Sequence, residues 1–273
     1  MLQREEIISA LVKGGIPSPR LETDIILKSA APNYPAMNAK EEQRTREYLA
    51  RRLAHEPLDK IIGKKEFYKS VFKVSDKVLS PRPDTEILVE KALELLSEDK
   101  PAEILDLGTG SGCILLSLLK ERKFATGVGV DVSKEALAVA QENAESLGVK
   151  ARVTFINKSW LEDDFINGTF DMVVSNPPYI PSTEIEALDE EVKTYDPRTA
   201  LDGGSDGLKC YRDIAEVMYP LLKEGGYLLL EVGYNQARDV AGIFTQKHLK
   251  LIEIAKDLSD IERCVILKKS VAK

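Results

Sequence analysis

An amide, two prolines and an aromatic ring stand side by side at Asn176, Pro177, Pro178 and Tyr179, directly after an apolar run. Neither proline can donate to a sheet ladder and each fixes its own φ, so the turn is stiff and its carbonyls lack the partners a strand would give them. Rigid acceptors beside a ring face could hold a small planar polar group. A second stretch, ILDLGTGSGC, places Gly108, Gly110 and Gly112 after an apolar run and before a helical one. Glycine there lets a ligand approach the backbone, and the helix N-terminus offers free N–H groups, which suits a nucleotide-like ligand. The spacing is G-x-G-x-G. Cys113 occupies the place of the dinucleotide fingerprint's third glycine, and the Walker pattern is absent. Asp131 ends the next apolar run, 19 residues past Gly112, where a carboxylate can accept hydrogen bonds from ribose hydroxyls. Taken alone, the glycines also fit a plain tight turn.

These residues need a scaffold, and the apolar pattern supplies one. From residue 102 onward, AEILDLG, ATGVGVDV, RVTFIN, FDMVVSN and GYLLLEVG read as strands. Helical stretches at Cys113–Lys120, Ser133–Leu147 and Leu208–Leu222 fall between them, an alternation that gives a mostly parallel sheet with helices on both faces. The tail adds two strands around Ser259–Asp260 as a closing hairpin, one strand antiparallel, for seven in all. The glycine loop and the Asn176 turn should then share one crevice at the strand ends. Before this region, residues 1–54 carry helical spacing with no strand signal, and KEFYKSVFKVS alternates like a half-exposed hairpin. The expected organisation is a helical domain over 1–62, a β-hairpin connector over 63–83 and an α/β domain over 84–273.

Composition narrows the chemistry. Only His55 and His248 are present, and Cys113, Cys210 and Cys264 are far apart with no C-x-x-C, so a disulfide framework, a metal site and a histidine base are all disfavoured. No apolar run approaches the roughly 18 residues of a membrane span. The N-terminus lacks a signal peptide's apolar core, so the chain is expected in the cytoplasm and away from membranes. Residues 1–80 carry 15 basic against 11 acidic side chains and the remainder 23 against 34. The larger part is therefore acidic, which disfavours broad binding to a phosphate backbone, and no stable nucleic-acid partner is expected.

DLGTGSG, Asp131 and Asn-Pro-Pro-Tyr together resemble the class I S-adenosylmethionine-dependent methyltransferases that modify planar exocyclic or amide nitrogens. LSPRPDTEILVE, NPPYIP, YDPRTALDGGSDGL and the helical N-terminus extend the resemblance over nearly the whole chain to the bacterial release-factor glutamine methyltransferase family. The resemblance implies a Rossmann-like seven-stranded sheet with a small helical docking domain. It implies S-adenosylmethionine held by Gly108, Thr109, Gly110, Ser111 and Gly112 near its methionine part, Asp131 at its ribose, Trp160 beside its adenine and Asn176 at the active-site edge. The implied substrate is the Gly-Gly-Gln loop of class-one peptide chain release factors, met by Asn176, Pro177, Pro178 and Tyr179. On that reading the Asn176 side-chain oxygen and the Pro177 carbonyl each accept one amide hydrogen, and Tyr179 offers a stacking face.

Other readings stay open at this stage. An adenine amine in nucleic acid is also planar and conjugated, and the same double acceptor would read it after base flipping. A non-catalytic cofactor-binding module is a third possibility. Trp160 fits core packing as well as adenine stacking. GGSDG at 203–207 fits G-x-S-x-G in form but sits in a polar loop, and is read as coincidence or as a wall of the site. Arg82 and Glu86 belong either to a helix entry or to the pocket wall.

Overall fold

The computed structural model describes residues 2–271. Four helices open the chain: α1 (Arg4–Lys13), α2 (Pro19–Ala30), α3 (Ala39–Leu53) and the short α4 (Leu58–Ile62). Asn38 caps α3, its side chain accepting from the Glu41 N–H while Glu41 returns to the Asn38 N–H. Ile7, Leu11, Ile26 and Leu27 form the centre of this unit. Met1–Lys64 is grouped with Leu188–Tyr195 as one compact unit, and Lys65–Ala187 with Asp196–Lys273 as the other.

The 188–195 segment carries α8 (Glu190–Tyr195), and charge holds it to the first unit. Arg52, 3% exposed, meets Glu22 at 2.5 Å and Glu191 at 2.8 Å, while Lys60 donates to the Tyr195 carbonyl and the Tyr195 hydroxyl to that of Ala54. A guanidinium buried this deeply needs two carboxylates to offset its lost hydration.

The second unit begins with the hairpin β1 (Lys64–Phe67) and β2 (Ser70–Lys73), then α5 (Glu86–Leu95) behind a single 3₁₀ turn at Pro83–Thr85. Next come β3 (Ala102–Leu107), α6 (Cys113–Glu121), β4 (Ala125–Asp131), α7 (Lys134–Ser146), β5 (Val153–Asn157) and β6 (Phe170–Ser175). After α8 follow α9 (Lys209–Leu221), β7 (Leu222–Glu231), α10 (Ala237–Thr245), β8 (Leu249–Lys256) and β9 (Glu262–Lys269). The main sheet has seven strands in the order β5-β4-β3-β6-β7-β9-β8, parallel except for β9, which runs antiparallel to both its neighbours. This is the Rossmann-like, mostly parallel α/β sheet that the alternation of apolar runs predicts.

Two apolar layers cover the sheet. Leu88, Leu115, Leu116 and Leu119 belong to one, and Tyr211, Ile214, Met218, Val240 and Phe244 to the other. Helices on both faces bury every central strand, which is why those strands read as near-continuous apolar runs. The chain reverses its direction of strand addition between β3 and β6, so the C-terminal ends of these neighbours open a crevice. Among the described residues, no helix is long and apolar enough to cross a membrane.

Candidate active site

β3 ends at Leu107 and β6 at Ser175, and the two residues lie in register, tied further by the Ser175 hydroxyl donating to the Leu107 carbonyl at 2.6 Å. The two loops that leave these strands therefore start side by side. The first is the glycine loop. Gly108, Gly110 and Gly112 take φ of 73°, 55° and 78°, the left-handed region. Space differs among them: a side chain at Gly110 would meet nothing within 4 Å, whereas one at Gly112 would come within 2.8 Å of Leu116. Gly112 serves the turn into α6, and Gly108 and Gly110 keep the cleft side open.

Asp131, at the end of β4, is 9% exposed. Its carboxylate accepts from Gly110 N–H at 2.8 Å and from Ser133 N–H at 2.9 Å, so it shapes the loop and caps the turn into α7. Burial raises its pKa, and these backbone donors oppose the rise. Each oxygen keeps a lone pair for a ligand hydroxyl. Asp106 beneath the loop accepts from the Thr109 hydroxyl at 2.7 Å, and burial pushes its pKa up to about 7. Asn143 of α7 links the loop to the hairpin. Its side chain donates to the carbonyls of Ser111 and Lys73 and accepts from the Lys73 N–H. Nothing in its local sequence marks it, because its partners lie up to 70 residues away.

The second loop is the Asn176 turn. Among the described residues the Pro177 carbonyl accepts no hydrogen bond, whereas the Tyr179 carbonyl accepts from the Gln236 side chain at 2.9 Å. Asn176 Nδ2 donates to the Thr85 hydroxyl at 3.4 Å, which turns Oδ1 the other way. Behind the turn lies the 201–207 loop. Ile180 exchanges backbone hydrogen bonds with Leu201 and Gly203, and Ser182 donates to Asp202 at 2.6 Å. A side chain at Gly203 would approach the Tyr179 Cα to 2.8 Å, and one at Gly207 the Tyr179 carbonyl to 2.4 Å. The glycines of GGSDG let this loop press against the proline turn as a buttress. Burial raises the Tyr179 phenol above its ordinary pKa.

One open cleft collects most of the residues singled out in the sequence. Gly108, Thr109, Gly110, Ser111, Asp131, Trp160, Asn176 and Pro178 line it; Gly112, Pro177 and Tyr179 do not. Trp160 is half-buried against the core, and a side chain at Gly108 would sit 3.6 Å from its ring. Arg82 and Thr85 also line the cleft, with Arg82 held by buried Asp196 at 2.7 Å. Glu86 instead accepts from the Tyr68 N–H beneath the hairpin. Among the described residues no cluster of His, Cys, Asp or Glu could hold a metal ion. The arrangement can bind a nucleoside-like cofactor along the glycine loop and present a planar polar group to it at Asn176.

Comparison with known proteins identifies the family. A family described as "Methyltransferase domain" matches residues 98–268. The release factor glutamine methyltransferase of Caulobacter vibrioides is 40% identical over 265 residues, covering 94% of this chain and 91% of that one. The protein of the same name from Rhodospirillum rubrum is 47% identical over 224 residues, covering 82% and 68%. Among solved structures, a methyltransferase from Pyrococcus furiosus shares the fold with a TM-score of 0.53 at 18% identity, covering 73% of this chain and 89% of that one.

Proposed function

The chain belongs to the release factor glutamine methyltransferase family, and from that premise we propose that it methylates the side-chain amide nitrogen of the glutamine in the Gly-Gly-Gln motif of class-one peptide chain release factors. The enzyme is a methyltransferase and its cofactor is S-adenosylmethionine. The cleft fits this cofactor: Gly108 and Gly110 keep backbone surface open to its methionine part, Asp131 retains lone pairs for ribose hydroxyls, and the half-buried Trp160 ring offers a face for adenine. When bound, the cofactor supplies a sulfonium methyl open to in-line attack.

The protein's task lies on the nucleophile's side. An amide nitrogen is a poor nucleophile because its lone pair is delocalised into the carbonyl, and no ordinary side-chain base removes its proton. Position has to substitute for base strength. Asn176 Oδ1 and the Pro177 carbonyl would each accept one amide hydrogen, aim the remaining lone pair and stabilise the positive charge that grows on nitrogen. The methylated nitrogen, now strongly acidic, would lose one of these hydrogens to water. The observation that carries this reading is the pair of acceptors at a rigid turn: a Pro177 carbonyl without a donor and an Asn176 amide whose nitrogen is already engaged by Thr85. The 201–207 buttress and the two prolines hold both in place before substrate arrives, so no reorganisation is needed in the transition state.

In the same reading the N-terminal helical unit recognises the release factor away from the glutamine, since a Gly-Gly-Gln loop offers little side chain of its own. Leu21 and Ile25, one turn apart on α2, are 61% and 36% exposed and would serve that contact. The test is incubation of the enzyme with intact release factor and methyl-labelled S-adenosylmethionine. Label should enter the release factor, and should fail to enter a variant whose motif glutamine is replaced by alanine. Label retained by that variant would refute the assignment.

A further inference from the structure

Glu231 ends β7, next to the turn that carries Asn176, and neither the mechanism above nor the sequence pattern uses it. Leu230 lies in register with Ser175 in the parallel β6–β7 pair, so Glu231 and Asn176 each follow one residue later. On its other side Glu231 pairs with Cys264 of β9. It is 2% exposed, and the Thr85 hydroxyl and, more weakly, the Asn176 side-chain amide favour its ionised form against the effect of burial. Its Oε2 has no partner among the described residues. Burial pushes its pKa up to about 7, with Arg263 working against the rise. A position that only had to fill space would be better served by an apolar side chain, because a buried carboxyl loses its hydration.

The chemistry of the three groups gives this carboxyl a task. An asparagine amide turned over by half a rotation has nearly the same shape, but its donor and acceptor exchange places. Packing alone cannot tell the two orientations apart. Above that pKa the ionised carboxylate only accepts, and the Thr85 hydroxyl has a single hydrogen. Once that hydrogen is given to Glu231, Thr85 can only accept from Asn176, which is the direction of the 3.4 Å contact from Nδ2. The NH₂ end of Asn176 is then pinned and Oδ1 is turned to the cleft. We infer that Glu231 is a positioning residue which, mainly through Thr85 and also by favouring the Asn176 NH₂ on its own side, selects the Asn176 orientation that leaves its oxygen free to accept a hydrogen of the substrate amide. Without the carboxylate, the Thr85 hydrogen can be given to Oδ1 instead, and the amide turns its NH₂ toward the substrate.

This inference rests on the reading of Asn176 given above, and two readouts keep the two apart. The first needs no substrate. In ¹⁵N-labelled full-length protein the Asn176 side-chain amide signals are identified by their loss in Asn176→Ala. They should be a single pair in the unaltered protein, shift or split in Glu231→Gln and Thr85→Val, and stay near their original place in Thr85→Ser. The second readout is kinetic. Glu231→Gln should lower kcat on release factor about tenfold, less than loss of a direct contact, with the cofactor Kd changed by no more than about twofold. In an Asn176→Ala background the same substitution should cost nothing more, because the group it orients is gone. Unchanged Asn176 signals in Glu231→Gln, or an equal loss of rate with and without Asn176, would overturn the inference. If the unaltered enzyme leaves release factor unmethylated, the proposed substrate fails, while the amide signals still decide the role of Glu231. Should Glu231→Gln fold poorly, Thr85→Val against Thr85→Ser supplies the same contrast.

Discussion

The two compact units of this protein are built by opposite means. The helical unit is held by side chains that reach far along the chain: Arg52 to Glu22 and Glu191, Lys60 to the Tyr195 carbonyl, and Arg44 to the Ala30 carbonyl. The α/β unit places its site with the backbone: left-handed glycines, two consecutive prolines, and N–H groups donating to Asp131. Long side chains tolerate exchange and rearrangement, while backbone devices admit few residue types. A site proposed to act by positioning calls for the second kind.

If this contrast is right, damage at the proline turn should exceed any other. Asn176→Ala should lower kcat about 10²–10³-fold, as expected for removing one preorganised contact, with cofactor affinity little changed. Single-turnover kinetics with saturating cofactor measures it, and a near-normal rate would show that another group orients the substrate. Asp131→Ala comes next. It would remove the proposed ribose contacts, which are equal in ground and transition states, and would free the Gly110 N–H, so cofactor Kd should rise by at least about tenfold with a smaller change in the chemical step. Titration calorimetry that finds cofactor binding unaltered would contradict this. The smallest effect belongs to the helical unit. Leu21→Asp with Ile25→Asp should raise KM for intact release factor several-fold, leaving cofactor affinity and kcat unaltered. An unchanged KM would remove α2 from substrate recognition.

The same contrast explains what could be read from sequence. The seven strands were legible because strands buried on both faces are apolar runs, and most of the connections between them carry glycine or proline. The glycine loop, Asp131 and the Asn176 turn stood out because their residue types are ones that ordinary packing rarely demands in that order. Trp160 and Arg82 were legible as residue types, with their use left open. Glu231 and Asn143 were not legible, since each lies at the end of an apolar run or on a regular helix and takes its meaning from partners distant in sequence. The GGSDG stretch looked like a coincidental match, and its glycines proved to answer to the close approach of Tyr179, which only the fold reveals. The grouping of Leu188–Tyr195 with the N-terminal helices was equally hidden. The segment is a short polar helix, and its anchors lie some 135 to 141 residues earlier.

The central claim is that the double acceptor at Asn176 and Pro177 serves a protein glutamine amide. It is tested most directly by mass spectrometry after incubating the full-length enzyme and S-adenosylmethionine with release factor, ribosomal RNA and DNA in one mixture, beside the Asn176→Ala protein as control. One methyl group is expected on the release factor, located by fragmentation to the side chain of the Gly-Gly-Gln glutamine, with the nucleic acids unmodified and the control nearly silent. Methylated adenine in either nucleic acid with an unmodified release factor would contradict it.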